Sequence, residues 1–316
     1  MKALSLDMGG THIGCALIED RRILGSTSIR SEHAQSLASM LPAIAETLNT
    51  LLRSNGVQSQ DCAGLAIGYP GIVDTRTAAI LSTLKKYEDA PDLDLTSWAS
   101  NTFGLPLRME NDARMALLGE RYAGAAQDSN DIVMMTLGTG IGGAAMMHGV
   151  LLRGAHSQAG CLGGHIPVNY KGRLCSCGNI GCAEAEAAGW SLPAIARGWP
   201  AFSDSLFAAS TDLNFKNLFS DALQKDSVTL AIRKHCIEVW AANVVAAIHA
   251  YDPEVVVIGG GVIASASLIL PAIQLHVNQH AWTPWGKPQV RAASLGNDAG
   301  LLGTIPLLSE DIHAIV

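Results

Sequence analysis

Asp7-Met8-Gly9-Gly10-Thr11 and Leu137-Gly138-Thr139-Gly140 decide the fold. Each follows a short apolar run, Lys2–Asp7 or Asp131–Leu137, and each leads into another, His12–Ile18 or Ile141–Met147. Runs of that length bounded by glycine predict strands joined by tight turns. The same unit occurring twice predicts two similar lobes. Outward from the first turn, Ile23–Ile29 pairs back across the polar Glu19–Arg22 turn and completes an antiparallel meander. A helix over about Gln35–Arg53 follows, because Leu37, Leu41, Ile44, Leu48 and Leu51 recur at spacings of three and four and Asn55-Gly56 ends it. Cys62–Ile67 and Leu107–Glu110 are further strands, the second leading into a helix over about Asp112–Ala123. The lobe boundary is placed near Asn111–Arg114. This divides the chain into a small lobe of residues 1–113 plus about 298–316 and a large lobe of residues 114–297.

Of the 316 residues, 48% are hydrophobic and only 16% charged, where about 25% charged is usual, so most of the chain is built to be buried. The net charge of −7 leaves no general basis for gripping nucleic acid or an anionic membrane. Neither is expected as a partner. Mean hydropathy is +0.23, and Val255–Gly286 carries no Asp, Glu, Lys or Arg. Gly259-Gly260-Gly261 and Pro271 interrupt that stretch, which therefore predicts strand Val255–Ile258, a glycine turn and a helix from near Ser265 rather than a span of about 20 residues. Asp7 cuts short the first apolar run, so no signal peptide is expected and the location is expected to be cytoplasmic. A long helix over about Ser227–Ala250 presents Ile237, Trp240, Val244 and Ile248 on one face and ends at Asp252-Pro253.

Four groups of residues carry chemistry. The two glycine turns let backbone N–H groups approach a phosphate, although a plain hairpin accounts for either turn alone and neither holds a P-loop lysine. Asp7, ahead of the first turn, is suited to orient a magnesium-bound water. Glu110-Asn111-Asp112 stands where a strand becomes a helix. It serves either as an ordinary cap or as a carboxylate placed to take a proton from a hydroxyl attacking a phosphoryl group. Gly68-Tyr69-Pro70-Gly71 is a turn whose backbone groups can bind a polyol. His165, Cys175, Cys177 and Cys182 lie in the irregular, glycine-rich stretch 163–189. One His and three Cys suit a closed, tetrahedral structural zinc site, and thiols in a cytoplasmic chain favour metal over disulfides. Cys15, Cys62 and Cys236 sit in apolar segments and read as core.

Taken in order, these strings resemble the ROK family (repressors, open reading frames and sugar kinases) of the actin-like ATPase superfamily. Asp7–Thr11 resembles its first phosphate motif, Gly68–Gly71 its sugar loop, Glu110–Asp112 the element with its catalytic aspartate and Leu137–Gly143 its second phosphate motif. His165 with Cys175–Glu184 resembles its zinc signature, and Gly259–Val262 its nucleoside-side glycines. The resemblance implies an α/β, two-lobed actin-like ATPase (ribonuclease H-like) fold, each lobe a mixed sheet flanked by helices, with ATP and sugar meeting in the cleft. It implies ATP, Mg²⁺ and structural Zn²⁺, and a small-molecule sugar substrate phosphorylated by a kinase that forms a homodimer. Asp112 would be the base. Asp7, Gly9, Gly10, Thr11, Gly138, Thr139, Gly140, Gly260 and Gly261 would hold the nucleotide, and Gly71, Asn111, Asp112, His165 and Glu184 the sugar. The family also contains repressors, so a non-catalytic sugar sensor acting through a partner is the alternative. With only six residues ahead of Asp7 and no basic recognition helix in view, direct DNA binding is not expected.

The chain departs from the family pattern at three places. Where the family reads Ala-Gly-Glu-x-Gly-His, here Ala159-Gly160-Cys161-Leu162-Gly163-Gly164-His165 loses the carboxylate and gains a residue. Leu84-Lys85-Lys86 replaces a sugar-facing Asn, and Ala188 stands where a Ser is common. These changes leave ATP handling in place; either they direct the sugar preference to one that differs from glucose at C1, C2 or C3, or the loop shifts by one residue and Glu184 supplies the missing acceptor.

Overall fold

Lys2–Met8 forms β1, with Ala3, Leu4 and Leu6 buried, and pairs antiparallel with β2 (His12–Glu19), which pairs with β3 (Arg22–Arg30). The computed structural model describes every residue except 10–11, 32–35, 84–86, 224 and 311–316. Helix α1 (Leu37–Ser54) buries Leu37, Met40, Ile44, Leu48 and Leu52, and the Ser36 hydroxyl accepts from the Ser39 N–H at its start. The expected starting residue, Gln35, lies outside the described residues. Next come β4 (Cys62–Tyr69), the small hairpin β5 (Ile72–Asp74) and β6 (Ala79–Ser82), α2 (Leu95–Phe103), β7 (Leu107–Asn111) and α3 (Asp112–Ala123). The first sheet runs β3-β2-β1-β4-β7, with β4 parallel to β1 and β7 parallel to β4.

The second sheet repeats that plan. Strand β8 (Ile132–Leu137) pairs antiparallel with β9 (Ile141–Met147), and β9 with β10 (Val150–Leu151). After α4 (Ala183–Ala187), α5 (Leu192–Arg197), α6 (Phe215–Leu218) and α7 (Ser227–Tyr251), β11 (Val255–Gly259) joins β8 in parallel. Helix α8 (Ala266–His280) then leads to β12 (Gln289–Ala292), so the order β10-β9-β8-β11-β12 mirrors the first sheet. Gly261–His280 is long and apolar enough to cross a membrane by length and composition. Its Ile269, Ile273 and Val277 are wholly buried in the core shared with Trp240 and Val256. The chain closes with α9 (Ala299–Leu302) and α10 (Thr304–Ser309).

Two compact units result: Met1–Asp128 with Arg153–Ala159 and Ser294–Val316, and Ser129–Leu152 with Gly160–Ala293. The sequence places the boundary at 113/114, within the first turn of α3, whereas the first unit runs on to Asp128. The reason is that α3 packs backbone-close on α9 and α10. A Cβ at Gly119 would lie 2.0 Å from the Ala299 carbonyl oxygen, and one at Gly303 would lie 2.2 Å from that of Met115. The return of Arg153–Ala159 carries no sequence signal, because it consists of long-range polar contacts. Alanine at Gly119 gains about 1 kcal/mol of helix propensity but forces two backbones apart, a cost of about 1–3 kcal/mol or more. Gly119→Ala is therefore expected to lower the urea midpoint, and an unchanged or raised midpoint would contradict the close crossing.

Candidate functional site

In the first unit, Asn111 ends β7 in an extended conformation and caps α3, its Oδ1 accepting from the N–H groups of Ala113 (3.1 Å) and Arg114 (3.3 Å). Its Nδ2 donates to the Gly71 carbonyl at 3.1 Å and to Asp112 Oδ1 at 2.9 Å. One amide thus joins the Gly68–Gly71 turn to Asp112, whose Oδ1 also accepts the Ala113 N–H at 2.8 Å. Asn111 is thus the cap that the sequence offered, and Asp112 stands beside it as the first residue of α3.

Behind these residues lies a buried charge network. Glu110, fully buried, accepts from Arg114 Nη1 (3.1 Å) and the Asn111 N–H (2.8 Å) on one oxygen, and from Arg153 Nε (2.6 Å) and Thr75 Oγ1 (3.1 Å) on the other. Arg153 continues to Glu310 at 2.6 Å, and Arg114 donates to the carbonyls of Ser157 (3.2 Å) and Ala159 (2.6 Å). Burial works against the Arg153 charge, but Glu110 and Glu310 outweigh it and hold its pKa above the ordinary value. For Glu310 burial prevails over Arg153 and raises the carboxyl. Arg114 was open to sequence reasoning as an i+4 partner of Glu110. Arg153 and Glu310 had no such signal.

Asp7 is half-buried near the end of β1. The nearest neighbours of its carboxylate include Gly68 and Gly300, where a Cβ would come within 3.5 and 3.0 Å, so small residues leave room beside it. Gly9 follows, its N–H donating to the His12 carbonyl at 3.0 Å. Gly10, Thr11 and the Leu84-Lys85-Lys86 segment lie outside the described residues.

In the second unit the glycine turns meet. Gly260 has φ of +84°, and a Cβ there would lie 2.3 Å from the Leu137 carbonyl oxygen, directly before Gly138. Only glycine permits that approach. A Cβ at Gly138 or Gly261 would meet nothing within 4 Å, so both face open space that a nucleotide can fill. The Gly138–Gly140 turn is held from one side: the N–H groups of Gly189 and Trp190 donate to the carbonyls of Gly138 and Thr139, both at 2.9 Å, and the Ile141 N–H donates to Glu184 Oε2 at 2.9 Å.

Segment 160–165 lies on β9, where a Cβ at Gly164 would fall 2.0 Å from the Ile141 carbonyl oxygen. This crossing delivers His165 to the cysteines. The ligand atoms of His165, Cys175, Cys177 and Cys182 all lie within 4.8 Å of one another, with His165 Nδ1 to Cys175 Sγ at 3.5 Å and Cys177 Sγ to Cys182 Sγ at 3.7 Å. A tetrahedral zinc with ordinary bond lengths puts N···S near ~3.6 Å and S···S near ~3.8 Å. The donor set fits zinc in chemistry and in spacing. Around it the loop has little apolar support, since Tyr170 and Leu174 are 82% and 71% exposed. Cys182 opens α4, whose second residue is Glu184.

The sequence profile of the ROK family matches residues 3–311. The chain belongs to the ROK family. It is 32% identical to a glucokinase of Thermotoga maritima over 99% of this chain and 98% of that protein. A ROK family glucokinase from Streptomyces griseus, solved with glucose and AMPPNP, superposes with a TM-score of 0.80 at 29% identity over 97% and 99% of the two chains. A xylose repressor of Bacillus spizizenii is 26% identical over 80% of this chain and 62% of its own. The fold is the actin-like ATPase fold of ROK kinases, as the resemblance implied.

Zinc analysis of purified protein is expected to give one ion per chain. Chelation should then raise protease sensitivity within 163–189, because the loop lacks the apolar burial to offset its ordering entropy. Active protein free of zinc would refute this.

Proposed function

We propose that the protein, an ATP-dependent sugar kinase of the ROK family, transfers the γ-phosphoryl group of ATP to O6 of a free hexose or hexose derivative. Asp112 is the general base. As O6 bonds to the γ-phosphorus, the bond from that phosphorus to the β–γ bridging oxygen breaks, ADP leaves, and the hydroxyl proton passes to the Asp112 carboxylate. The observation that carries this assignment is the single Asn111 amide that fixes both Asp112 and the Gly71 carbonyl, since a base works only when its geometry is held. Gly71, Asn111, His165 and Glu184 bind the sugar. Asp7, Gly9, Gly10 and Thr11 hold the phosphates with Gly138, Thr139 and Gly140, while Gly260 and Gly261 face the nucleoside. Mg²⁺, when bound, neutralises phosphate charge, and Asp7 is the residue to hold it through water.

Asp112→Asn keeps shape and hydrogen bonding but cannot take the proton, so kcat should fall by about 10²–10⁴ with binding retained. Turnover at the wild-type rate would remove Asp112 from the role. The repressor relative favours a second reading, a sugar sensor without catalysis acting through a partner protein. Wild-type protein that binds sugar and ATP but never turns over would establish it.

Cys161 sets the sugar preference. A thiol is a weak acceptor where the family places a carboxylate, and a sugar hydroxyl left unpaired costs about 1–3 kcal/mol. Among glucose, its C2 and C3 epimers and its 2-acetamido derivative, the highest kcat/KM is expected for a sugar other than glucose. A clear preference for glucose would overturn this.

A further inference from the structure

Glu184 is held by two donors from different segments. Its Oε2 accepts the Ile141 N–H at 2.9 Å, immediately after the Gly138–Gly140 turn, and its Oε1 accepts the indole Nε1–H of Trp190 at 3.2 Å. Trp190 is itself bound to the same turn through its peptide N–H and the Thr139 carbonyl, at 2.9 Å. Indole, carboxylate and turn thus form a closed ring of hydrogen bonds. The backbone beneath is stiff as well: Ser191 Oγ donates to the Glu184 carbonyl at 3.1 Å and accepts the Ala188 N–H at 3.1 Å. Each Glu184 oxygen keeps acceptor capacity beyond the one N–H it takes here. A ligand hydroxyl on this carboxylate and a phosphate on the Gly138–Gly140 turn would therefore act on the same ring.

We propose that the Trp190–Glu184–Ile141 ring couples sugar binding to nucleotide binding, with Trp190 as a positioning residue that acts through Glu184. This rests on the kinase reading and on Glu184 as a sugar ligand. A sugar hydroxyl that restrains the Glu184 carboxylate restrains the end of the turn, so the ordering cost is met once and the second ligand binds more tightly. By linkage the effect is reciprocal: AMPPNP strengthens sugar binding by the same factor. One substitution opens the ring without altering the carboxylate or the turn. Trp190→Phe removes the N–H and keeps an aromatic ring at a site that is 43% exposed.

The experiment is calorimetric titration of AMPPNP with Mg²⁺ into zinc-loaded protein, with and without each sugar of the panel that is turned over. In the wild type the sugar should tighten AMPPNP binding by a factor within the usual coupling range, about 5–150-fold. In Trp190→Phe that factor should fall about threefold or more, while AMPPNP still binds in the absence of sugar. An unchanged factor in Trp190→Phe, or no coupling in the wild type, overturns the proposal and leaves the kinase reading intact. Absence of turnover with every sugar is instead a failure of the kinase reading.

Discussion

Glu110 is a carboxylate with no exposed surface, and the first unit is organised around satisfying it. Removing a partner from a buried charge typically costs about 3–5 kcal/mol, so the groups that answer Glu110 are fixed in place. They come from four directions: Thr75 beside the small hairpin, the Asn111 backbone, Arg114 on α3 and Arg153 from the returning strap. Asn111 and Asp112 follow Glu110 directly in the chain. The orientation of the candidate base is thus inherited from the buried charge network that precedes it in the chain.

The second unit uses backbone proximity in place of buried charge. Gly260 against Leu137 and Gly164 against Ile141 bring two turns and the His165 segment onto the β8–β9 hairpin at distances no side chain allows. The carboxylate of Glu184 then closes the hairpin from the α4 side. Because Cys182 immediately precedes α4, the candidate zinc loop lies two residues of chain from Glu184, the carboxylate that holds Ile141 beside the Gly138–Gly140 turn. Order in the loop therefore bears directly on the shape of the turn.

What the sequence made legible follows the range of each interaction. Strands β1, β2, β8 and β9 and helices α3 and α7 were readable because periodicity and capping are local. The four residues of the candidate zinc site were readable because metal chemistry restricts residue type. The five-residue α4 was not, since it is too short to show a period. The unit boundary also escaped, because Gly119 and Gly303 belong to a crossing of elements far apart in the chain. Arg153 and Glu310 escaped for the same reason. In Glu184 a local motif was visible, but its bond to Ile141 and its pairing with Trp190 were not.

The division of the chain has a consequence for synthesis. The first unit is assembled from three pieces, and the last of them, from Ser294 onward, supplies α9, α10 and Glu310. The second unit lacks no piece beyond Ala293. On a ribosome the first unit therefore begins to emerge first and is completed last, with the α3 face uncovered until the piece from Ser294 onward has been made. Long-range closure of this kind slows folding and prolongs exposure of apolar surface. The half of the molecule that carries Asp112 is the half whose maturation depends most on the chain being finished.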